Sequence, residues 1–247
     1  MKAIIYFISI LLICASCQPQ LSEEQAKEVM EGIQEIPLSY DSVVGGKIDL
    51  TKNFYFIFDQ SGSMAEYCSN EEKINVAKKA IIETMKNLSS QVNVGLMVIG
   101  SNTATEYAEL LPIGVATDAY KKRFTDIITD IEPLNGTPLV QAIKLVVDKL
   151  VIQKKKQLGY GEYRIIVITD GEATDGDVQE AAVYAIQYAM GIYTIGLCID
   201  TSHPLYQFSV SYHDAENYDE LKNALASVTA ETTTFDSVAY DSTAYNQ

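Results

Sequence analysis

The sequence predicts a doubly wound α/β domain, a mostly parallel central sheet with helices on both faces. Three observations carry that expectation. Segments with strand character alternate with segments of helical periodicity, the pattern of parallel strands joined by helical crossovers. Residues 53–59 (NFYFIFD) and 163–169 (YRIIVIT) are near-continuous apolar runs, as strands buried on both faces require. With 47% hydrophobic residues, the 247-residue chain holds enough apolar material for a large core, which excludes global disorder.

The first segment is not part of that domain. Met1-Lys2 is followed by an apolar run over residues 3–15 and then Ser16-Cys17. A charged start, a short hydrophobic stretch and small exit residues describe a secretory signal peptide over residues 1–16. The run is shorter than the roughly 20 residues of a membrane-spanning helix. Ala15-Ser16-Cys17 resembles the lipobox of bacterial lipoproteins, with Cys14 where that family usually has Leu. The resemblance implies cleavage before Cys17, lipidation of its thiol, and a mature chain lipid-anchored in a bacterial cell envelope, plain secretion being the alternative. Residues 17–51 then read as a lipidated terminus, a short helix and a linker. Ser22-Glu23-Glu24-Gln25 forms a capping box, Ala26, Val29, Met30 and Ile33 share one helical face, and Gly45-Gly46 ends the spacer.

The domain proper is expected over residues 52–230. After the strand at 53–59, Ile74, Ala77, Ile81, Met85 and Leu88 keep helical spacing. Residues 92–99 read as a second strand, 105–111 as an edge strand and 118–131 as a helix. Another helix runs from Pro138 to about Leu150, with Thr137 placed to cap it and proline at its first position. The strand at 163–169 follows, then a helix over 178–188 stopped near Gly191, and a strand over 192–199. Residues 207–212 offer a last strand, and Tyr218, Leu221, Leu225 and Val228 a closing helix. His213-Asp214 is expected in a surface loop beyond that strand. Lys154-Lys155-Lys156 sits at a helix end, where positive charge suits the dipole. Residues 231–247 are Ser/Thr/Asp/Tyr-rich and aperiodic, and are expected to be a flexible tail.

A formal net charge of −15 excludes nucleic acid as a natural partner, because a phosphate backbone needs a basic face to meet it. His203 and His213 are the only imidazoles, which leaves little material for a zinc site or a Ser/His/Asp triad. Cys14 would leave with the signal peptide and Cys17 would carry lipid, so Cys68 and Cys198 remain. In an exported chain they are either two thiols or a disulfide, and a bridge needs Cα atoms within about 7 Å.

Three segments fall at strand carboxyl ends or helix entries, where open α/β sheets place their sites. They are Asp59-Gln60-Ser61-Gly62-Ser63, Asn135-Gly136-Thr137-Pro138-Leu139 and Thr169-Asp170-Gly171. Their side chains are carboxylates and hydroxyls, hard oxygen donors suited to Mg²⁺ or Mn²⁺. Two ionised carboxylates formally balance a divalent ion, and neutral hydroxyls add coordination without adding charge. If the strands ending at Asp59 and Asp170 are neighbours, their backbones lie about 4.8 Å apart, and Gly62 and Gly136 are expected to permit the tight loops. Asp175-Gly176-Asp177 hints at a calcium loop, but the spacing from Asp170 puts Asp175 where a turn glycine belongs, so a cap for the helix beginning near Val178 is expected.

Asp59-Gln60-Ser61-Gly62-Ser63 is similar to the D-x-S-x-S signature of von Willebrand factor type A domains. Thr137 and Asp170 stand where that family places the remaining residues of its metal-ion-dependent adhesion site. The resemblance covers residue 52 to about 230 and implies a Rossmann-like sheet. It implies that Ser61, Ser63 and Thr137 contact the ion directly, and Asp59 and Asp170 directly or through water. A protein partner's Asp or Glu would fill the last position.

The leading expectation is therefore a non-enzymatic, envelope-tethered binding module using Mg²⁺ or Mn²⁺. A scaffold or regulatory subunit of an envelope complex is the alternative. A metal-assisted hydrolase is disfavoured, because no general base stands beside the site in sequence and the resembled family is mostly non-catalytic.

Overall fold

The computed structural model describes residues 22–40, 45–199 and 203–230. The expected signal peptide, the lipidation at Cys17 and the tail at 231–247 lie outside the described residues. Among the described residues no helix is long and apolar enough to cross a membrane.

The chain opens with α1 (Glu23–Glu31), followed by β1 (Asn53–Asp59) and a short 3₁₀ turn at Gly62–Ala65. A two-residue hairpin, β2 (Tyr67–Cys68) and β3 (Glu71–Glu72), precedes α2 (Lys73–Asn87) and β4 (Asn93–Ile99). Then come β5 (Tyr107–Val115), α3 (Asp118–Asp130), α4 (Leu139–Lys156) and β6 (Tyr163–Thr169). The last elements are α5 (Val178–Gln187), β7 (Gly191–Leu197), β8 (Ser211–Ala215) and α6 (Tyr218–Thr229).

Six strands form one sheet in the order β5-β4-β1-β6-β7-β8, all parallel except the β4–β5 hairpin. The chain builds outward from β1 through β4 to β5, then crosses back to place β6 on the other side of β1. That reversal opens a crevice at the carboxyl ends of β1 and β6, the position where doubly wound sheets bind ligands. The register pairs Phe58 with Ile168, so Asp59 and Thr169 end adjacent strands.

Alternation along β1 divides the core between the two faces. Phe54, Phe56 and Phe58 pack with Ile74 and Ile81 of α2, Phe124 and Ile128 of α3, and Leu221 and Leu225 of α6. Tyr55 and Ile57 face the other way, against Leu139, Ile143 and Val147 of α4 and Ala181 and Ala185 of α5. All seven β1 residues are buried, which accounts for the run lacking any polar alternation.

Several boundaries differ from the expectation. The segment ahead of β1 lies along the domain. Its capping box forms between Ser22 and Gln25. Ala26 is buried against the α4–α5 face, the Ile36 N–H donates to the Gln187 carbonyl at 2.7 Å, and the Lys47 N–H to the Lys156 carbonyl at 3.0 Å. β5 extends four residues beyond the expected strand because it pairs with the whole of β4. α4 continues through the three lysines to Lys156.

The final strand is misplaced in the sequence reading. Residues 204–208 form a 3₁₀ turn led by Pro204, and β8 begins only at Ser211. His213 and Asp214 are therefore strand residues, paired with Ile195 and Gly196, and not a surface loop. Proline at the start of the turn fixes its φ and cannot donate to a ladder, which delays the strand. Cys68 and Cys198 form a disulfide with Cα atoms 5.9 Å apart, tying the β2–β3 hairpin to the end of β7.

Candidate metal centre

Asp59 ends β1 at the crevice and is fully buried. One carboxylate oxygen accepts the Ser61 backbone N–H at 2.7 Å, and the other accepts the Thr169 hydroxyl at 2.6 Å. The first of these bonds turns the chain back over the strand end, the local closure that Asp makes two residues ahead of a turn. Both partners are neutral. Burial pushes the Asp59 carboxyl up to about 6, against the pull of those hydrogen bonds, and Asp170 adds to the rise. Ionised at neutral pH, this carboxylate is short of positive charge.

The two serines carry the cluster to the third segment. Ser61 Oγ and Ser63 Oγ lie 3.1 Å apart, and the Ser63 hydroxyl donates to Asp170 Oδ1 at 2.7 Å. With the Ser63 proton committed to Asp170, the Ser61 hydroxyl is the donor to Ser63. A hydroxyl has one proton and two lone pairs, so each serine keeps acceptor capacity for a cation.

Thr137 stands one loop away and is buried. The contacts that hold it are backbone ones: the Leu134 N–H donates to the Gln60 carbonyl at 2.6 Å, and the Gly62 N–H to the Asn135 carbonyl at 3.0 Å. On its other side the Thr137 N–H donates to Thr174 Oγ1 at 3.0 Å, while the Thr174 N–H donates to the Thr137 carbonyl at 2.9 Å. Thr137 does not cap α4. That helix begins at Leu139, and Asp175 caps it from a neighbouring loop, accepting the Val140 and Gln141 N–H groups at 3.0 and 2.9 Å. Asp177 caps α5 through the Gln179 N–H at 2.9 Å. The capping role therefore makes no claim on the Thr137 hydroxyl.

Asp170 follows β6, and its side chain is wholly shielded from solvent. Its second oxygen meets a partner that the sequence reading missed, Lys73 at the start of α2, with Nζ 2.8 Å away. The same ammonium reaches Glu66 Oε2 at 3.1 Å. Burial pulls the Lys73 pKa down, but Asp170 and Glu66 more than offset it, so the residue stays cationic. Its signal in the sequence is faint: one lysine closing an acidic stretch (Glu66, Glu71, Glu72) ahead of a helix. Thr169, which opens the third segment but is given no role in the sequence reading, serves the site from the end of β6 through its bond to Asp59.

Neither Gly62 nor Gly136 adopts a positive φ, but Gly136 does permit a tight approach, since a Cβ there would stand 3.2 Å from Thr174 Oγ1. Gly100, at the end of β4, does adopt a positive φ: it is +81°, and a Cβ there would stand 2.7 Å from the Ser61 nitrogen. It lets the β4 end pass against the Asp59–Ser63 loop.

His203, remote in sequence, is brought to the edge of the site. Its Nε2 donates to the Gly171 carbonyl at 2.8 Å and its Nδ1 accepts the Leu205 N–H at 3.0 Å. Burial pushes the imidazole down to about 4, so it is neutral at physiological pH. Both ring nitrogens are engaged, which makes it a brace for the loop after Asp170 and leaves it no free lone pair for base catalysis. Among the described residues no group of three or more His, Cys, Asp or Glu side chains is placed to hold a metal ion by itself. The site is built of two carboxylates, hydroxyls and one ammonium.

The model for the von Willebrand factor type A domain matches residues 53–245, and the chain belongs to that family. Among solved structures, the pilus adhesin SpaC from Lactobacillus rhamnosus GG aligns at 14% identity and a TM-score of 0.63, over 75% of this chain and 31% of that one. This chain thus spans under a third of the adhesin's length. An aerotolerance-related membrane protein from Bacteroides fragilis NCTC 9343, with multiple mutations to serines, aligns at 19% identity and a TM-score of 0.57, over 72% of this chain and 98% of that one. Von Willebrand factor type A from Catenulispora acidiphila aligns at 13% identity and a TM-score of 0.58, over 73% and 42%. At such identities the likeness shows a common fold and no more. No curated protein sequence matches the chain.

Proposed function

We propose that this chain is a non-enzymatic, envelope-tethered binding module. It holds Mg²⁺ or Mn²⁺ among Asp59, Ser61, Ser63, Thr137 and Asp170, and engages an acidic side chain of a protein partner. The observation that carries this reading is Asp59, a buried carboxylate with neutral partners and a pKa raised to about 6, next to hydroxyls with spare lone pairs. A hard cation relieves that carboxylate, and the donor set has no sulfur or imidazole to favour a softer metal. Bound there, the ion supplies an electrophilic coordination position for a partner's carboxylate.

The chain's own residues do the rest. The Asp59–Ser61 bond shapes the first loop, Gln60 and Gly62 hold the Thr137 loop against it, and Ser63 links it to Asp170. Membership of a family of mostly adhesive and interaction modules is consistent with binding rather than turnover, and His203 lacks a free nitrogen to serve as base. Tethering rests on the lipobox-like Ala15-Ser16-Cys17. The Cys68–Cys198 disulfide fits an oxidising compartment outside the cytoplasm.

Thermal melting tests the site, on wild type and Asp59→Ala, with Mg²⁺ and then with excess chelator. The expected result is a metal-dependent rise in melting temperature for wild type alone, since a ligand that binds only the folded state stabilises it. The same wild-type melting temperature with Mg²⁺ as with chelator, or an equal metal-dependent rise in Asp59→Ala, would sink the reading.

A further inference from the structure

Lys73 lies inside the cluster and has no part in the donor set. Its residue is 7% exposed, and its ammonium sits 2.8 Å from Asp170, whose side chain is 0% exposed. Its other partner, Glu66, is 69% exposed, so water screens that contact and the buried pairing is with Asp170. The other oxygen of Asp170 takes the Ser63 hydroxyl. Ser63 thus shares a carboxylate with a fixed positive charge.

That arrangement changes the charge that a cation meets. Asp59 and Asp170 alone would cancel a divalent ion and leave a neutral centre. With Lys73 included, the buried groups sum to one negative charge, and a divalent ion would leave a net positive centre. A net positive centre matters here because the chain carries a formal charge of −15, which opposes the approach of any acidic partner. The opposing effect is weaker hold on the ion, since an ammonium close to the cation repels it.

We propose that Lys73 is a built-in counter-charge that weakens metal binding while making the loaded site attractive to a carboxylate. The idea rests on the metal-site reading above and adds the residue that sets the balance between ion affinity and partner affinity. A merely structural Lys73 gives the opposite sign: its removal would release Asp170 and loosen the ion.

Mn²⁺ binding to the purified full chain, read by the electron paramagnetic resonance of the free ion, separates these. Lys73→Met removes the charge and keeps the length of the stem. The counter-charge role predicts about tenfold tighter Mn²⁺ binding than wild type, and weaker acetate binding to the Mn²⁺-loaded protein. Lys73→Arg keeps the charge and should stay near wild type in both. Lys73→Gln, which removes the charge but keeps an N–H donor for Asp170, serves if Lys73→Met fails to fold, and it too should bind Mn²⁺ more tightly than wild type. Equal or weaker Mn²⁺ binding by a folded Lys73→Met, or by Lys73→Gln where Lys73→Met does not fold, overturns the proposal. If wild type itself binds no Mn²⁺, the metal-site reading falls first and this inference falls with it.

Discussion

Asp59 and His203 show how burial tunes single residues around one crevice. Asp59 is pushed up to about 6 and His203 down to about 4, burial being the first cause in both. His203 gives a pH dependence with a definite sign. Its ordinary value is near 6.5, so the unfolded chain takes up a proton between pH 6.5 and 4 that the folded protein refuses. The stabilisation is complete above pH 6.5 and is lost as the pH falls towards 4. Relative to a His203→Asn variant, wild type should lose about 3 kcal/mol of stability between pH 7 and pH 4. Urea denaturation at the two pH values checks this, and a constant difference would show that the ring is not held neutral. The four acidic and serine positions were legible in the sequence because D-x-S-x-S and T-D-G place oxygen at strand ends. His203 was not: 32 residues separate it from Gly171, and no local pattern encodes a contact made by tertiary folding.

Among elements, β1, β6 and the core of every helix except the short 3₁₀ turns follow from hydrophobic period alone. Buried runs and 3.6-residue spacing are strong signals. Errors cluster where the ladder or a cap is supplied from afar. β5 lengthens to match its partner β4, β8 starts late behind the Pro204 turn, and α4 takes its cap from Asp175 instead of Thr137. That last difference bears on the site, because the Asp175 loop also clamps the Thr137 backbone through Thr174. Asp175→Ala should cost about 1–2 kcal/mol by leaving two α4 donors without their cap. It should also reduce the stabilisation by Mg²⁺. Asp177→Ala should cost a similar amount through α5 and leave the Mg²⁺ increment intact. Equal Mg²⁺ increments in the two variants would show that the Asp175 loop does not hold the Thr137 loop in place.

At the scale of the molecule, the order β5-β4-β1-β6-β7-β8 brings together loops far apart in sequence. β1 lies between the two directions of winding, so its Asp59 loop touches the Gly100 turn on one side and the Asp170 loop on the other. The Asn135–Thr137 segment is laid across the first loop by backbone bonds. The disulfide closes a span of 130 residues and binds the hairpin after the first loop to the far end of β7. Each site segment therefore rests on a rigid element. Growing crystals in Mn²⁺ and measuring anomalous scattering tests most directly whether this framework cages an ion. A single strong peak within contact of the Ser61, Ser63 and Thr137 hydroxyls is the expected result, and a map with no Mn²⁺ at the ends of β1 and β6 would contradict the account.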